Sequence, residues 1–208
     1  MPRQNRVTPF GQLIATPERG TLMGNRGSLH NAHGQIRRPF VGQRWIICLL
    51  AFKGWHRTVM TPGQYTELFF LDEATALAAG HRPCAECQRP RFNLFRETWA
   101  RANPQHTSLL RPPATLIDAV LHGERALSTP GIHLCPTLDD LPNGTYLAEG
   151  ENAFLVLNRT LLRWTPAGYT PHAEIPFPAR VLTPASVVRT LAAGYPVEIH
   201  PSASALQR

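Results

Sequence analysis

The feature that most constrains the fold of this chain is a pair of cysteines, Cys84 and Cys87, in the sequence GHRPCAEC of residues 80–87. A Cys-x-x-Cys turn directs both sulfurs at one ion, and a structural zinc site is usually closed by four ligands in a tetrahedral arrangement. The remaining ligands must then come from another part of the chain. A thiol redox couple is the alternative, but it needs a thioredoxin-like βαβ context, which the surrounding residues lack. We therefore predict a Zn²⁺ site here.

The third predicted ligand is Cys48, which precedes the pair and lies in the apolar run of residues 45–52. A hairpin followed by a helix with Cys-x-x-Cys in its first turn is the arrangement of treble-clef and related zinc folds. An ordinary buried thiol is the open alternative, because free cysteine is among the most buried residue types. The fourth cysteine, Cys135, is expected to be a loop thiol, with a separate metal ligand or a nucleophile as alternatives.

The fourth predicted ligand is His30. It ends the turn-forming sequence GNRGSLH of residues 24–30, which could bring an imidazole to the start of the helix. The alternatives are His33, His56 and His81.

The charge of the chain favours an anionic partner. Lysine and arginine total 21 against 14 acidic residues, a net charge of +7, and Lys53 is the only lysine. The guanidinium fork suits phosphates and base edges, although a GC-rich genome would produce the same preference for arginine. We predict nucleic acid, DNA in the first place, as the partner, with a merely solvated basic face as the alternative. The arginines predicted to contact it are Arg26, Arg37, Arg38, Arg82, Arg89 and Arg91.

Short elements are expected along the chain, because 20 prolines and 15 glycines interrupt the sequence. Residues 1–44 are predicted to be irregular, and residues 45–60 to form a hairpin that turns at Lys53. A buried strand at 65–71 leads into a short helix at 73–79, capped by an aspartate and ended by a glycine. A longer helix is expected at 84–102, with an aromatic core face.

A second part is expected after the polar connection at residues 103–113. It begins with a helix at 114–122, continues as a small β-meander, and ends with a helix that starts near Thr183. The predicted fold class is α+β: a zinc-stabilised hairpin-plus-helix module at 1–103, followed by a meander with a C-terminal helix at 114–201.

The compartment predicted from the sequence is the cytoplasm. The N-terminus has no signal-peptide pattern, and no stretch approaches the ~20 apolar residues that span a bilayer. Four cysteines are too few for a secreted disulfide scaffold, and reduced thiols suit metal binding in the same compartment.

Residues 68–90 resemble a known family. The sequence LFF at 68–70, DEA at 72–74, AAG at 78–80, RPCAEC at 82–87 and Pro90 are similar to the second half of the metal-binding domain of Ada-type DNA methyl-phosphotriester repair proteins. The resemblance implies that Cys84 and Cys87 are zinc thiolates. That family takes its other ligands from an upstream Cys-x-x-x-Cys pair, one of which accepts the methyl group, whereas Cys48 is the only upstream thiol here. The resemblance therefore implies an Ada-like or treble-clef-like zinc module without methyl transfer.

Three functions are compatible with these residues. The first is a zinc-binding protein that binds DNA through an arginine-rich face. The second is an enzyme acting on nucleic acid, either a metal-dependent nuclease that uses His30 or His33, or a thiol methyl acceptor at Cys48. The third is a structural or interaction module that zinc organises.

Overall fold

The computed structural model describes residues 1–54, 58–127, 134–135, 137–172 and 174–207. Within them the chain forms two six-stranded sheets and five α-helices, which confirms the α+β fold class.

The first sheet contains six short strands in the spatial order β2-β1-β5-β3-β4-β6. The pairs β1–β5 and β4–β6 are parallel, and the other neighbours are antiparallel. The strands are β1 (Gln4–Val7), β2 (Leu13–Ala15), β3 (Leu22–Asn25), β4 (Ile46–Cys48), β5 (Leu68–Phe70) and β6 (Arg82–Pro83).

The N-terminal segment corrects one expectation, because residues 1–44 contain three strands of this sheet and are not irregular. These strands have three or four residues, too few for a clear alternating pattern in the sequence. The chain does turn at Lys53, which has a positive φ of 51°. The expected return strand lies partly on residues 55–57, outside the described residues, and residues 58–60 form no strand. Strand β4 pairs instead with β3 and β6.

Gly24 in β3 allows the neighbouring residues Ile46 and Phe70 to approach the strand closely. A Cβ atom at Gly24 would lie 2.1 Å from the carbonyl oxygen of Ile46 and 2.8 Å from the ring of Phe70. Only glycine therefore fits between them. Gly24 faces the buried side of the sheet, whereas its neighbours Met23 and Asn25 face a cavity on the other side.

The helices of the first part follow the predicted order with one shift. Helix α1 (Glu73–Ala78) is capped as expected by the Asp72 carboxylate, which accepts a hydrogen bond from the Thr75 amide at 2.8 Å. Helix α2 (Arg89–Ala102) begins five residues later than predicted, because residues 85–88 form a turn and Pro90 occupies the first helical turn. Its aromatic face is buried, as predicted, through Phe92, Phe95 and Trp99.

The second sheet contains the predicted meander, β8 to β11, within the order β11-β10-β9-β8-β12-β7. Its neighbouring strands are antiparallel throughout the described residues. The strands are β7 (Leu134–Cys135), β8 (Tyr146–Glu149), β9 (Asn152–Leu157), β10 (Thr160–Thr165), β11 (Gly168–His172) and β12 (Ala179–Val181).

Three further helices lie outside the sheets. Helix α3 (Ala114–His122) has the predicted bounds and continues into a π-helical turn at Gly123–Leu127. Helix α4 (Ala185–Ala192) is the expected C-terminal helix. The tail after it forms one more short helix, α5 (Pro201–Ser204).

The two parts of the chain share a hydrophobic core. One cluster contains Phe70 and Trp99 from the first part together with Val187 and Leu191 of α4. The side-chain amide of Asn103 adds a polar contact, because it donates to the Ser186 carbonyl at 3.1 Å. The division into domains at residues 103–114 stays a prediction. None of the described helices combines the length and apolar character needed to cross a membrane.

Candidate metal centre

The metal centre predicted from the cysteines is built on two neighbouring strands. Cys48 is the last residue of β4, and Cys84 follows β6 directly. These strands pair in parallel, with Ile47 opposite Pro83, and the Cys84 amide donates to the Ile47 carbonyl at 2.8 Å. Cys87 lies three residues further on, in the turn before α2. The pairing therefore brings the upstream thiol to the Cys-x-x-Cys turn.

The three sulfurs are close enough to share one ion. The Sγ atoms of Cys48, Cys84 and Cys87 all lie within 4.8 Å of one another. In a tetrahedral zinc site with zinc–sulfur bonds of about 2.3 Å, the sulfurs are roughly 3.8 Å apart. The three cysteines could therefore hold a metal ion.

The pKa values of the three thiols depend on one another, because the thiols interact directly. Hydrogen bonds with Cys48 and Cys87 lower the pKa of Cys84, helped by the backbone amide of Glu86. Hydrogen bonds with Cys84 and Cys87, followed by burial, raise the pKa of Cys48. A metal ion bound by all three residues would need every thiol as thiolate, so its binding would release protons.

The predicted fourth ligand, His30, has other partners. Its Nδ1 lies 2.6 Å from the hydroxyl of Thr66, and its Nε2 lies 3.2 Å from the carbonyl oxygen of Thr61. These contacts tie the turn after β3 to the segment before β5. In the part of the chain that the structure describes, the close group of ligand atoms contains the three cysteines alone. A metal-binding role for His30 stays a prediction.

The alternative histidines and the fourth cysteine also lie apart from this group. His33 is exposed, and His81 is buried, where its Nε2 accepts a hydrogen bond from Arg26. His56 is outside the described residues. Cys135 belongs to the second sheet, and its thiol donates to the Thr137 carbonyl at 3.0 Å.

A cavity of about 370 Å³ borders the three cysteines. We call it the thiol cavity. Much of its wall is apolar, and its polar side chains include Asn25, Glu67 and Glu86. Glu67 is buried and accepts a hydrogen bond from the Met60 amide at 2.7 Å. Because all three cysteines line the cavity, a molecule that enters it can reach the sulfurs.

A second cavity, of about 430 Å³, adjoins the first. The two cavities share Leu50, Val59 and Phe69 as a common wall. We call the second one the arginine groove, because three arginines line it and no carboxylate is among its described lining residues. These arginines are Arg3, Arg6 and Arg19.

Arg6 is held in the groove by contacts with Phe69 and Glu18. Its guanidinium lies 4.7 Å from the ring centroid of Phe69, and its Nε donates to the Glu18 carbonyl at 2.6 Å. Burial and the nearby charge of Arg19 lower the pKa of Arg6. This groove was not predicted from the sequence, because its arginines are spread over residues 3–19. Only the antiparallel pairing of β1 with β2 folds that segment back on itself.

The six arginines predicted to contact nucleic acid differ in burial and fall into three groups. Arg37, Arg38 and Arg89 are exposed. Arg26 and Arg82 are only 2% and 3% exposed and present almost no surface for a phosphate contact. The remaining one, Arg91, is partly buried.

Two of these arginines form ion pairs inside the protein. Arg82 binds both carboxylate oxygens of Asp118 on α3, at 2.8 and 2.9 Å. Arg91 binds Glu73 through its Nε at 2.8 Å and also pairs with Glu198. Burial raises the pKa of Asp118, although the guanidinium of Arg82 opposes the shift. These pairs fasten β6 and α2 to their neighbours.

No protein-family model matches this chain, and no curated protein or solved structure matches it either. The similarity of residues 68–90 to Ada-type repair proteins stays a prediction. The function has to be argued from the geometry of the site.

Proposed function

We propose that this protein binds Zn²⁺ through Cys48, Cys84 and Cys87 and binds nucleic acid beside the metal, with phosphates in the arginine groove. The observation that carries the proposal is the wall that the groove shares with the thiol cavity, formed by Leu50, Val59 and Phe69. A strand held by its backbone in the groove would direct a base or sugar towards the thiols.

The lining of both cavities supports this arrangement. The arginine groove is lined by three guanidiniums, and none of its described lining residues is a carboxylate. Such a lining suits the phosphates of a nucleic-acid backbone. The thiol cavity offers the rings of Phe52 and Phe69, and aromatic rings bind unpaired bases by stacking. A base must be free of its partner to enter a cavity. We therefore propose single-stranded DNA as the preferred form.

Zinc is the metal that the ligands favour. Thiolates select soft or borderline ions, and zinc accepts them in tetrahedral sites. Such an ion would lock the end of β4 to the turn before α2, in the manner of an Ada-like or treble-clef-like module. Reduced thiols as ligands also fit the predicted cytoplasmic location.

The test is the salt dependence of binding, measured by fluorescence anisotropy with a labelled single-stranded oligonucleotide. Three phosphate contacts on a single strand predict a slope of log K against log salt of about −2. Arg6→Gln and Arg19→Gln should each weaken binding and reduce the slope by roughly 0.7. Arg159→Gln, which alters an exposed arginine in the turn between β9 and β10, is the control and should change neither. Absence of binding at low salt, or affinity that is flat with salt, would disprove the proposal.

A second candidate is an enzyme acting on nucleic acid, and the access from the thiol cavity to the sulfurs favours it. A zinc ion with three protein ligands keeps a position for water, which the metal activates as a nucleophile. Cleavage of a labelled oligonucleotide by the zinc-loaded protein, lost in Cys84→Ser with strand binding retained, would support a nuclease. A thiol acceptor at Cys48 would instead gain the mass of one methyl group from methylated DNA. Neither product would appear if the protein only binds.

A further inference from the structure

Two arginines meet inside the protein, away from the thiol cavity. Arg26 follows β3 directly and is 2% exposed. Its Nη1 donates to the Gly11 carbonyl at 2.8 Å, and its Nε donates to Nε2 of His81 at 3.1 Å. Its remaining nitrogen, Nη2, is buried and has no hydrogen-bond partner.

Arg125 approaches the same place from the π-helical turn after α3. Its Nη1 donates to the Leu182 carbonyl at 3.2 Å, and its Nη2 makes a long contact of 3.5 Å to the Pro9 carbonyl. Its Nε is buried without a partner. A Cβ atom built on Gly11 would lie 3.2 Å from Nη2 of Arg125 and 3.6 Å from Nη2 of Arg26. The two guanidiniums therefore converge beneath the turn between β1 and β2.

No acidic side chain neutralises this pair. All 14 acidic residues of the chain lie in its described part, and none comes within 4.0 Å of a guanidinium nitrogen of Arg26 or Arg125. His81 adds no charge to the pair, because its Nε2 accepts a hydrogen bond from Arg26 and the ring is therefore neutral.

Both guanidiniums nevertheless stay charged near neutral pH. Burial, together with the charge of Arg125, lowers the pKa of Arg26 to about 9. Burial and the charge of Arg180 lower the pKa of Arg125 to about 10. A buried charge beside a second, partly buried charge of the same sign is unfavourable without a counter-ion, and a bound anion would relieve that repulsion.

We propose that Arg26 and Arg125 form an internal binding site for a phosphate-type oxyanion, beneath the turn that contains Gly11. The flat fork of a guanidinium matches the oxygens of such an anion, and the spare Nη2 of Arg26 and Nε of Arg125 are donors without another partner. Arg125 is only partly buried and interacts with the exposed Arg180, so an anion would reach the site from the side of these two residues. The anion is either free inorganic phosphate or the phosphate group of a nucleotide.

The position of the site predicts what the anion does. Arg26 extends from the first sheet, whereas Arg125 is hydrogen-bonded to Leu182, which follows the second sheet. An anion held between both side chains would connect the two parts of the chain. It would stabilise the folded protein by mass action, independently of the proposed zinc centre and arginine groove.

The experiment compares melting temperatures in sodium phosphate and in sodium chloride at equal ionic strength. At a phosphate concentration tenfold above its Kd, the wild type should melt about 3–6 °C higher in phosphate. Arg125→Gln should lose this difference. Arg19→Gln, which alters only the arginine groove, should keep it. Equal melting temperatures of the wild type in both salts, or a difference that persists in Arg125→Gln, would overturn the proposal.

Calorimetric titration provides a second test that does not depend on the folding of Arg125→Gln. The host, that is, the protein that is titrated and into which a further substitution is introduced, is the double variant Arg6→Gln, Arg19→Gln. These two substitutions weaken anion binding in the arginine groove. It should bind one phosphate per chain, and Arg125→Lys added to it should weaken that binding, because lysine lacks the fork. Tighter binding of adenosine monophosphate than of phosphate assigns the site to a nucleotide, and equal affinity assigns it to the free ion. Absence of phosphate binding in the host would overturn the proposal, whatever the result for oligonucleotides.

Discussion

The hydroxyl of Tyr169 donates a hydrogen bond of 2.5 Å to Oδ2 of Asp72. Both side chains are buried, and the bond joins the second sheet to the first turn of α1. The same carboxylate accepts hydrogen bonds from the amides of Thr75 and His200 at 2.8 and 2.9 Å. Burial raises the pKa of Asp72, and these hydrogen bonds oppose the shift. One carboxylate therefore holds three separate segments together.

Tyr169→Phe should destabilise the fold by about 1.5–3 kcal/mol, because it removes a donor from a buried carboxylate. The free energy of unfolding in urea measures the effect. Thr170→Val is the matched control, since it removes a hydroxyl from the exposed face of the same strand and should change little. Equal stability of the two variants would mean that the hydrogen bond to Asp72 contributes nothing.

Serine at any of the three clustered cysteines should reduce the metal content of the protein. We expect about one zinc per chain in the wild type, and clearly less in Cys48→Ser, Cys84→Ser and Cys87→Ser, because a three-thiol group loses a ligand in each. Native mass spectrometry of untagged protein measures the content. Cys135→Ser is the control, since that thiol is bonded to Thr137 in the other sheet.

The same measurement decides the role of His30. Loss of zinc in His30→Ala would require the imidazole to leave Thr66 and Thr61 and join the thiols. Retention of zinc in His30→Ala would leave the fourth coordination position of the ion to water or to a molecule in the thiol cavity. A metal-free wild type would refute the zinc centre itself.

Asp118→Asn should cost about 3–5 kcal/mol in the free energy of unfolding, because Arg82 would remain buried without its counter-charge. Asp139→Asn breaks the exposed pair of Asp139 with Arg159, whose side chains are 63% and 73% exposed, and should cost about 1 kcal/mol or less. Chemical denaturation of both variants gives the comparison. Similar losses would show that burial of the Arg82 pair does not determine its contribution.

Gly24→Ala should lower the free energy of unfolding by about 2–3 kcal/mol, because the new methyl group meets the Ile46 carbonyl in the middle of the sheet. Gly123→Ala is the control. Its Cβ would have no neighbour within 4 Å, and its φ of −60° is helical, so it should stabilise the protein by about 0.4–1 kcal/mol. If Gly24→Ala left the free energy of unfolding unchanged, β3 and β4 could move apart at no cost in stability.

Several local features of this fold could be predicted because neighbouring residues encode them. Asp72 caps α1 through an amide three residues away, and residues 92–99 of α2 bury their aromatic face by helical spacing. The pairing of Cys84 with Cys87 is equally local. The shift in the start of α2 arose because the turn around these cysteines makes backbone contacts with β4, a segment more than 30 residues upstream.

The sequence by itself determined the fold class, the meander and the pair of Cys84 with Cys87, because their signals lie in short-range spacing and residue type. Cys48 joins that pair through the pairing of β4 with β6. Only the tertiary structure decided that Arg26 and Arg82 are buried, that Arg3, Arg6 and Arg19 form a groove, and that this groove adjoins the thiols. Strand pairing and burial depend on contacts between segments far apart in the chain. The sequence does not show whether a charged residue faces solvent or, as Arg82 does, a buried partner.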